Sequence, residues 1–292
     1  MANKSYLQDL VRGQYGRKIA YVNTDEVTEN NIVDLVGKTL GTFYFNKKIA
    51  KYLWDYVHGD QPILYRKKVV RDDIVNKVVE NHAYEIVQFK VGQTYGEPLQ
   101  CVGVVPEEIN EYIDRFNTFL RQAHKHARNI KCGEWQSATG VGFLAVQVNH
   151  EKKASIPFRI TVPTPINTYI IYSSITDEPL IAVQDLEDEN GEYYKRCFTK
   201  THQCDIRNGK VENWSLHIFS DIPIVEYPNN HQRVSDVELV ITMLDAINKM
   251  QSNRMDGIEQ FVQSWVKFVN CSVDEETFKK MKLAGALAVK SN

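Results

Sequence analysis

The chain has 292 residues, of which 43 % are hydrophobic and 25 % charged, and its formal net charge is −2. The length admits one large domain or two ordinary ones, and the composition is that of a folded globular protein. The charge lacks the overall basicity of a chain that grips nucleic acid tightly, which argues against strong sequence-specific DNA binding. No run of about 18 apolar residues marks a transmembrane span, so no membrane association is expected. The N-terminal MANKSYLQDLVRGQYGRK has neither the apolar core nor the cleavage site of a signal peptide, which reads as an intracellular chain.

In chain order, residues 1–40 show no sustained periodicity and read as an N-terminal arm with a short helix around Asn31–Val36. Ile49, Leu53 and Val57 repeat at fours with Gly59 as a stop, which predicts a helix over Phe45–Val57. Asp72 or Asp73 then caps a second helix whose face is Val75, Val78, Val79, Ile86, Val87 and Phe89, ended by Gly92. Gly92–Val104 reads as turn then strand. Pro106 opens a third helix with Ile109, Tyr112, Ile113, Phe116, Leu120 and Ala123 on one face, running to about Arg128. Gly140 and Gly142 read as sites of close backbone packing rather than a phosphate cradle, because no strand-turn-helix pattern surrounds them.

The pattern then changes. Phe158–Val162, Thr168–Ser173, Leu180–Gln184, Tyr193–Thr199 and Trp214–Phe219 are rich in β-formers and separated by turn signals such as Asn208-Gly209. Helices first and an antiparallel β region later predict an α+β fold. After Ile222–Tyr227, Ser235 and Glu238 form a capping box. Apolar residues recur from Val240 through Leu244, Ile247, Ile258, Phe261, Val262 and Trp265 to Val269. One continuous helix over 235–270 is predicted, roughly 50 Å long.

Chemistry is sparse. The five cysteines are scattered without CxxC spacing and read as reduced thiols, supporting neither a zinc knuckle nor a thioredoxin-type site. His124 and His126 are two apart on a helix and so diverge, which argues against a metal site. Basic clusters such as Arg121, Lys125 and Arg128, and the acidic group from Asp185 to Glu192, read as solvated faces. No GxSxG, HExxH, Walker or kinase pattern occurs. Asp245, Asn248, Ser252 and Asp256 form a polar line at 3-4-4 spacing along the long helix, best read as a face that packs against polar neighbours or water. The chain reads as a non-enzyme with no catalytic, cofactor or metal residues.

The segment IPIVEYPNN, followed after a few residues by SDVELVITMLDAINKMQSNRMDGIEQFVQSWV, resembles the portal proteins of tailed bacteriophages, in particular the siphophage-type portals. Pro223, Asn229, Asn230, Ser235, Asp236, Asp245, Ala246, Asn248 and Ser252 carry the resemblance, with Gly92, Gly96 and Pro98 upstream. It covers roughly residues 40–290. It implies a structural protein in a closed ring of about twelve subunits at one capsid vertex, in the virion, assembled in the host bacterial cytoplasm. Double-stranded DNA would pass through the ring without sequence specificity during packaging and ejection. The implied partners are further copies of the chain, the terminase large subunit, head-completion or adaptor proteins, and the major capsid and scaffolding proteins. The family layout assigns residues 41–234 to a wing, 235–270 to a stem helix and 271–292 to the start of a clip. A second stem helix, channel loop and crown are expected further on, so the chain reads as an N-terminal fragment or a shortened form. Asp245, Asn248, Lys249, Ser252, Arg254, Asp256 and Lys267 are the candidate channel or subunit contacts. The competing readings are a minor head or connector protein of the same vertex, and a metal-dependent nuclease using Asp245 and Asp256.

Overall fold

A computed structural model describes residues 15–69, 72–103, 110–149, 156–262, 266–269, 274–276, 279 and 286–289. The fold is α+β, as the sequence predicts, and the chain divides into two compact units. One comprises Met1–Asp60 and Asn81–Thr242, the other Gln61–Glu80 and Met243–Asn292.

The larger unit begins with strand β1 (Ala20–Val22) and helix α1 (Ile32–Val57). The arm and the two short helical pieces expected before Val57 are thus a strand and one 26-residue helix. Gly37 and Gly41 make the helix look broken in sequence, at about 1 kcal/mol each against alanine. Burial of Ile32, Leu35, Val36 and Phe43 outweighs that penalty, at about 1.5–3 kcal/mol per large side chain. Helices α2 (His82–Tyr95), α3 (Asn110–Gln122) and α4 (Lys125–Thr139) follow. The predicted third helix divides because His124 takes a left-handed conformation at φ 54°, and its second half runs on to Thr139. The strand expected after Gly92 is absent from the described residues 96–103, which are exposed and irregular. Pro106 and Ile109 lie outside the described residues.

Strands β2 (Val141–Val148), β3 (Phe158–Thr161), β4 (Thr168–Ser173), β5 (Pro179–Glu187), β6 (Tyr193–Phe198), β7 (His202–Arg207), β8 (Lys210–Leu216) and β9 (Ile224–Pro228) complete the unit. They form a six-stranded sheet in the order β1-β4-β5-β6-β7-β8 and a three-stranded sheet in the order β3-β2-β9. All pairs in these sheets are antiparallel except β1 with β4. β7 escapes a sequence reading because HQCDIR has few β-formers, while Asn208-Gly209, both at positive φ, make the tight turn that joins it to β8.

Alternation along the strands gives each sheet two packed faces. Ile171, Ile181 and Val183 face α1, where Phe43 stacks on Tyr169 at 4.5 Å. Ile170 and Ala182 face the opposite way and meet Val141, Phe143 and Ala145 of β2. Leu144, pointing away from Phe143, packs with Cys132 of α4. Trp135 of α4 in turn stacks on Trp54 of α1 at 3.5 Å.

The smaller unit holds a short 3-10 turn at Pro62–Tyr65, an extended segment over 74–80, helix α5 (Ile241–Val262, whose first two residues belong to the larger unit), and the parallel pair β10 (Val266–Val269) and β11 (Ala286–Val289). Two expectations are corrected here. The helix predicted from Asp72 is extended over its first half, and its helical part starts at His82. The helix predicted over 235–270 occupies Ile241–Val262, 22 residues. Ser235–Val240 are turns, and Val266–Val269 form a strand, because a short apolar run such as VKFV satisfies a period of two as well as one of 3.6. Trp265 lies outside the described residues.

Candidate functional site

The polar line of α5 has a definite occupant. Asn248, Ser252 and Asp256 are all buried, and each accepts a backbone N–H from the extended segment. Asp256 takes that of Asn76 at 2.7 Å, Ser252 that of Val78 at 3.0 Å, and Asn248 that of Glu80 at 2.8 Å. The two periodicities coincide. Residues two apart in an extended chain are separated by about 6.6 Å, and residues four apart on a helix rise about 6.0 Å. A helix face at i, i+4, i+8 can therefore serve every second N–H of a chain running antiparallel to it. These are donors that a strand would otherwise offer to a neighbouring strand, and buried donors need partners.

Side chains reinforce the ladder. The Asn248 amide donates to the buried Gln61 carbonyl oxygen, and the Gln251 amide donates to Glu80 at 3.2 Å. Asn76 also donates its amide to Asp256 at 3.1 Å and to Glu259 at 2.8 Å. Asp256 lies 2.5 Å from Lys68 and 3.1 Å from Arg66. Burial pushes its carboxyl upward, but Lys68 and the two Asn76 donors outweigh that and hold it at about 2, below its ordinary 3.8. Among the described residues no cluster of three or more His, Cys, Asp or Glu side chains is arranged to hold a metal ion.

The predicted site residues therefore separate. Asn248, Ser252 and Asp256 come together on the segment 76–80, and Asp245 is half-buried one turn before them. Lys249 and Arg254 are exposed on the same helix, and Lys267 lies on β10 opposite Leu287. Sequence reasoning missed the other half of the arrangement, namely Gln61, Arg66, Lys68, Asn76 and Glu80. The available signal was a three-rung polar ladder on a helix, which needs an extended partner with spare N–H groups.

A second constellation lies in the larger unit, where the turn after β9 meets the end of α4. The Asn229 N–H donates to the Gly140 carbonyl at 2.9 Å, and the Asp236 N–H to that of Ser137 at 3.0 Å. The amides of Asn229 and Asn230 both donate to the Val234 carbonyl, and Asn230 accepts the Val234 N–H at 2.8 Å. The Ser235 hydroxyl donates to the Ala138 carbonyl at 2.8 Å, and Ser137 donates to Asp236 at 2.7 Å. Glu238 accepts the Ser235 N–H at 2.7 Å, so half of the predicted capping box forms, and it also pairs with the buried Arg17. Burial pushes both members of that pair toward neutrality, raising Glu238 and lowering Arg17. These ties hold Ser235–Val240 in turns, which explains why α5 starts at Ile241. Gly140 is required at the centre, since at φ 89° a Cβ would stand 2.0 Å from the Arg233 carbonyl oxygen. Close backbone packing is thus what Gly140 provides.

Six of the residues that carry the sequence resemblance thus meet in two structural devices: Asn229, Asn230, Ser235 and Asp236 in the knot around Gly140, and Asn248 and Ser252 in the ladder on α5. Residues 46–292 match the family model described as phage portal protein, SPP1 Gp6-like. The chain belongs to that family. Its role is therefore that of a structural component of the phage head, built as an oligomeric ring in company with other head proteins. No curated protein matches the chain. Among the described residues of this portal protein no helix is long and apolar enough to cross a membrane.

Proposed function

We propose that the ring formed by this chain sits at one capsid vertex and conducts double-stranded DNA during packaging and ejection. It docks the terminase large subunit while DNA enters and head-completion proteins afterwards, with the major capsid and scaffolding proteins around it. The ring has about twelve subunits, closed by head-to-tail contacts under cyclic symmetry. Residues 41–234 serve as its wing, 235–270 carry its stem helix, and 271–292 begin its clip.

The observation that supports this reading is the division of labour on α5. One face is committed inside the subunit to the 76–80 backbone. The remainder exposes Met243, Met250 and Ile258, each at least half accessible, beside the cations Lys249 and Arg254. An apolar stripe with a few positive charges suits contact with a neighbouring subunit and a loose electrostatic hold on passing DNA. Many tight phosphate contacts would impede sliding, since each adds affinity and salt dependence. Lys249, Arg254, Lys267 and Asp245 are the proposed channel or subunit contacts. A metal-dependent nuclease is disfavoured by the same geometry, because the Asp256 carboxylate already serves Asn76, Lys68 and Arg66.

The test is native mass measurement and electron microscopy of the full chain, followed by packaging of DNA into heads that carry Met250→Glu or Lys249→Glu/Arg254→Glu portals. Rings of wild-type protein and loss of packaged DNA in the variants are expected. Monomers at high wild-type concentration, or normal packaging in both variants, would overturn the reading.

A further inference from the structure

Several cations of the larger unit are neutralised inside the chain. Lys47 and Lys195 share Asp185, Arg196 pairs with Asp205, Arg207 with Asp188 and Arg233 with Glu226. A basic group on α3 and α4 is gathered in a cleft instead. A cleft of about 500 Å³ between α3, α4 and residues 98–100 is lined by Arg121, His124, Lys125 and His126, with Asp114 as the one carboxylate among the described lining residues. Among the described residues neither Arg121 nor Lys125 has a carboxylate partner. Arg121 donates to the Thr118 hydroxyl at 3.0 Å, and Lys125 to the Asn129 amide oxygen. One turn further on, the buried Arg128 Nε has no hydrogen-bond partner. The cleft also opens on the N-terminus of α4, which has no side-chain cap and so adds the positive end of a 15-residue helix. Its apolar wall is Pro98, Leu99 and Leu120, with Leu99 69 % exposed.

The same unit carries the complementary feature. The turn between β5 and β6 presents exposed Glu187, Glu189 and Glu192 beside Tyr193, which is 72 % exposed. The turn is tied internally: Asp188 accepts the N–H groups of Asn190 at 2.9 Å and Glu192 at 3.0 Å, and Gly191 closes it at φ 82°. A preformed acidic tip loses little conformational freedom on docking.

We propose that the acidic β5–β6 tip of one subunit docks in the basic α3–α4 cleft of the next. Glu189 and Glu192 meet Arg121 and Lys125, and Tyr193 covers Leu99 and Leu120. This rests on the ring reading above and supplies one of its contacts. A closed ring needs two different, mutually complementary patches on each copy, and a concave basic patch with a convex acidic one satisfies that need. The apolar wall and the concave shape favour a carboxylate-bearing protein segment over a nucleic-acid backbone, which is held by an open basic groove.

The experiment uses the full chain and native mass spectrometry, with matched circular dichroism to verify folding. Arg121→Glu/Lys125→Glu and Glu189→Lys/Glu192→Lys are each expected to raise the concentration needed for ring assembly at least tenfold. Mixed in equal amounts, the two variants have complementary charge at every contact of an alternating ring. Such mixed rings, with equal numbers of each variant, are the expected result. Rings from either variant alone at the wild-type concentration would overturn the contact while leaving the ring reading intact, as would failure of the mixture to assemble. Absence of rings from the wild type would remove both. Retained rings that lose binding of a 50-base-pair duplex (roughly 170 Å at 3.4 Å per step) would assign the cleft to phosphates instead.

Discussion

Ser252→Ala isolates the middle rung of the α5 ladder. Ser252 is fully buried, and its hydroxyl oxygen is the acceptor of the Val78 N–H at 3.0 Å. Alanine removes that acceptor without adding bulk and leaves a shielded donor unpaired, which costs about 1–3 kcal/mol. If the 74–80 segment opens locally, that loss appears as a faster opening equilibrium, tenfold for each 1.4 kcal/mol, so about 5- to 150-fold. Amide hydrogen exchange followed residue by residue reads this directly. Val78 should lose protection by that factor, and Asn76 and Glu80 by less, because their acceptors Asp256 and Asn248 remain. Amides in the β4–β5 pair should not change. Unaltered Val78 protection in a folded variant would refute the ladder as the force that holds the segment, and would leave the burial of Ile74 as the stronger cause.

Asp256 gives the ladder a pH dependence. Its carboxyl is held below its ordinary value, so its contribution is fully present above about 3.8 and is lost as pH falls through about 2. Protection of Asn76 should decline across that window in the wild type and be flat in Asp256→Asn. Gly140→Ala should prevent or severely weaken folding, because it combines positive φ with a 2.0 Å approach to the Arg233 carbonyl oxygen, whereas Gly209→Asn, with nothing within 4 Å, should lose no more than about 1 kcal/mol in thermal melting. Arg17→Met alone should destabilise by about 3–5 kcal/mol, and adding Glu238→Leu should recover most of that stability by removing the stranded buried charge. Phe43→Ala, which empties the stack on Tyr169, should cost about 3–5 kcal/mol in chemical denaturation.

How much of this could be read from the residues differs by element. The α+β division was legible because the strands from Phe158 onward are dense in β-formers and punctuated by turns such as Asn208-Gly209. The motif residues Asn229, Asn230, Ser235 and Asp236 were legible as a group, but their purpose was not. Their partners Ser137, Ala138 and Gly140 lie about ninety residues earlier, and no local pattern encodes that distance. The segment 72–80 misled because Val75, Val78 and Val79 match a helical period, while the acceptors that keep it extended belong to α5. Ser235–Val240 misled for the same reason. A sound capping box was present, but Glu238 is shared between Ser235 and Arg17. The polar spacing of Asn248, Ser252 and Asp256 was visible; that it serves backbone rather than side chains or solvent is set by a segment 168 to 180 residues earlier in the chain.

The ladder on α5 holds main-chain N–H groups, and this divides evolutionary freedom unequally between its two halves. At positions 78 and 80 every residue with an amide hydrogen presents the same group to Ser252 and Asn248. Drift should be wide at Val78, with proline alone barred for want of a donor, and narrower at Glu80, whose carboxylate also accepts the Gln251 amide. On the helix, an acceptor of the right reach must recur every fourth residue. Among descendants of this chain, the helix should therefore keep its lettering more strictly than the segment it holds, with Val78 the freest position of all.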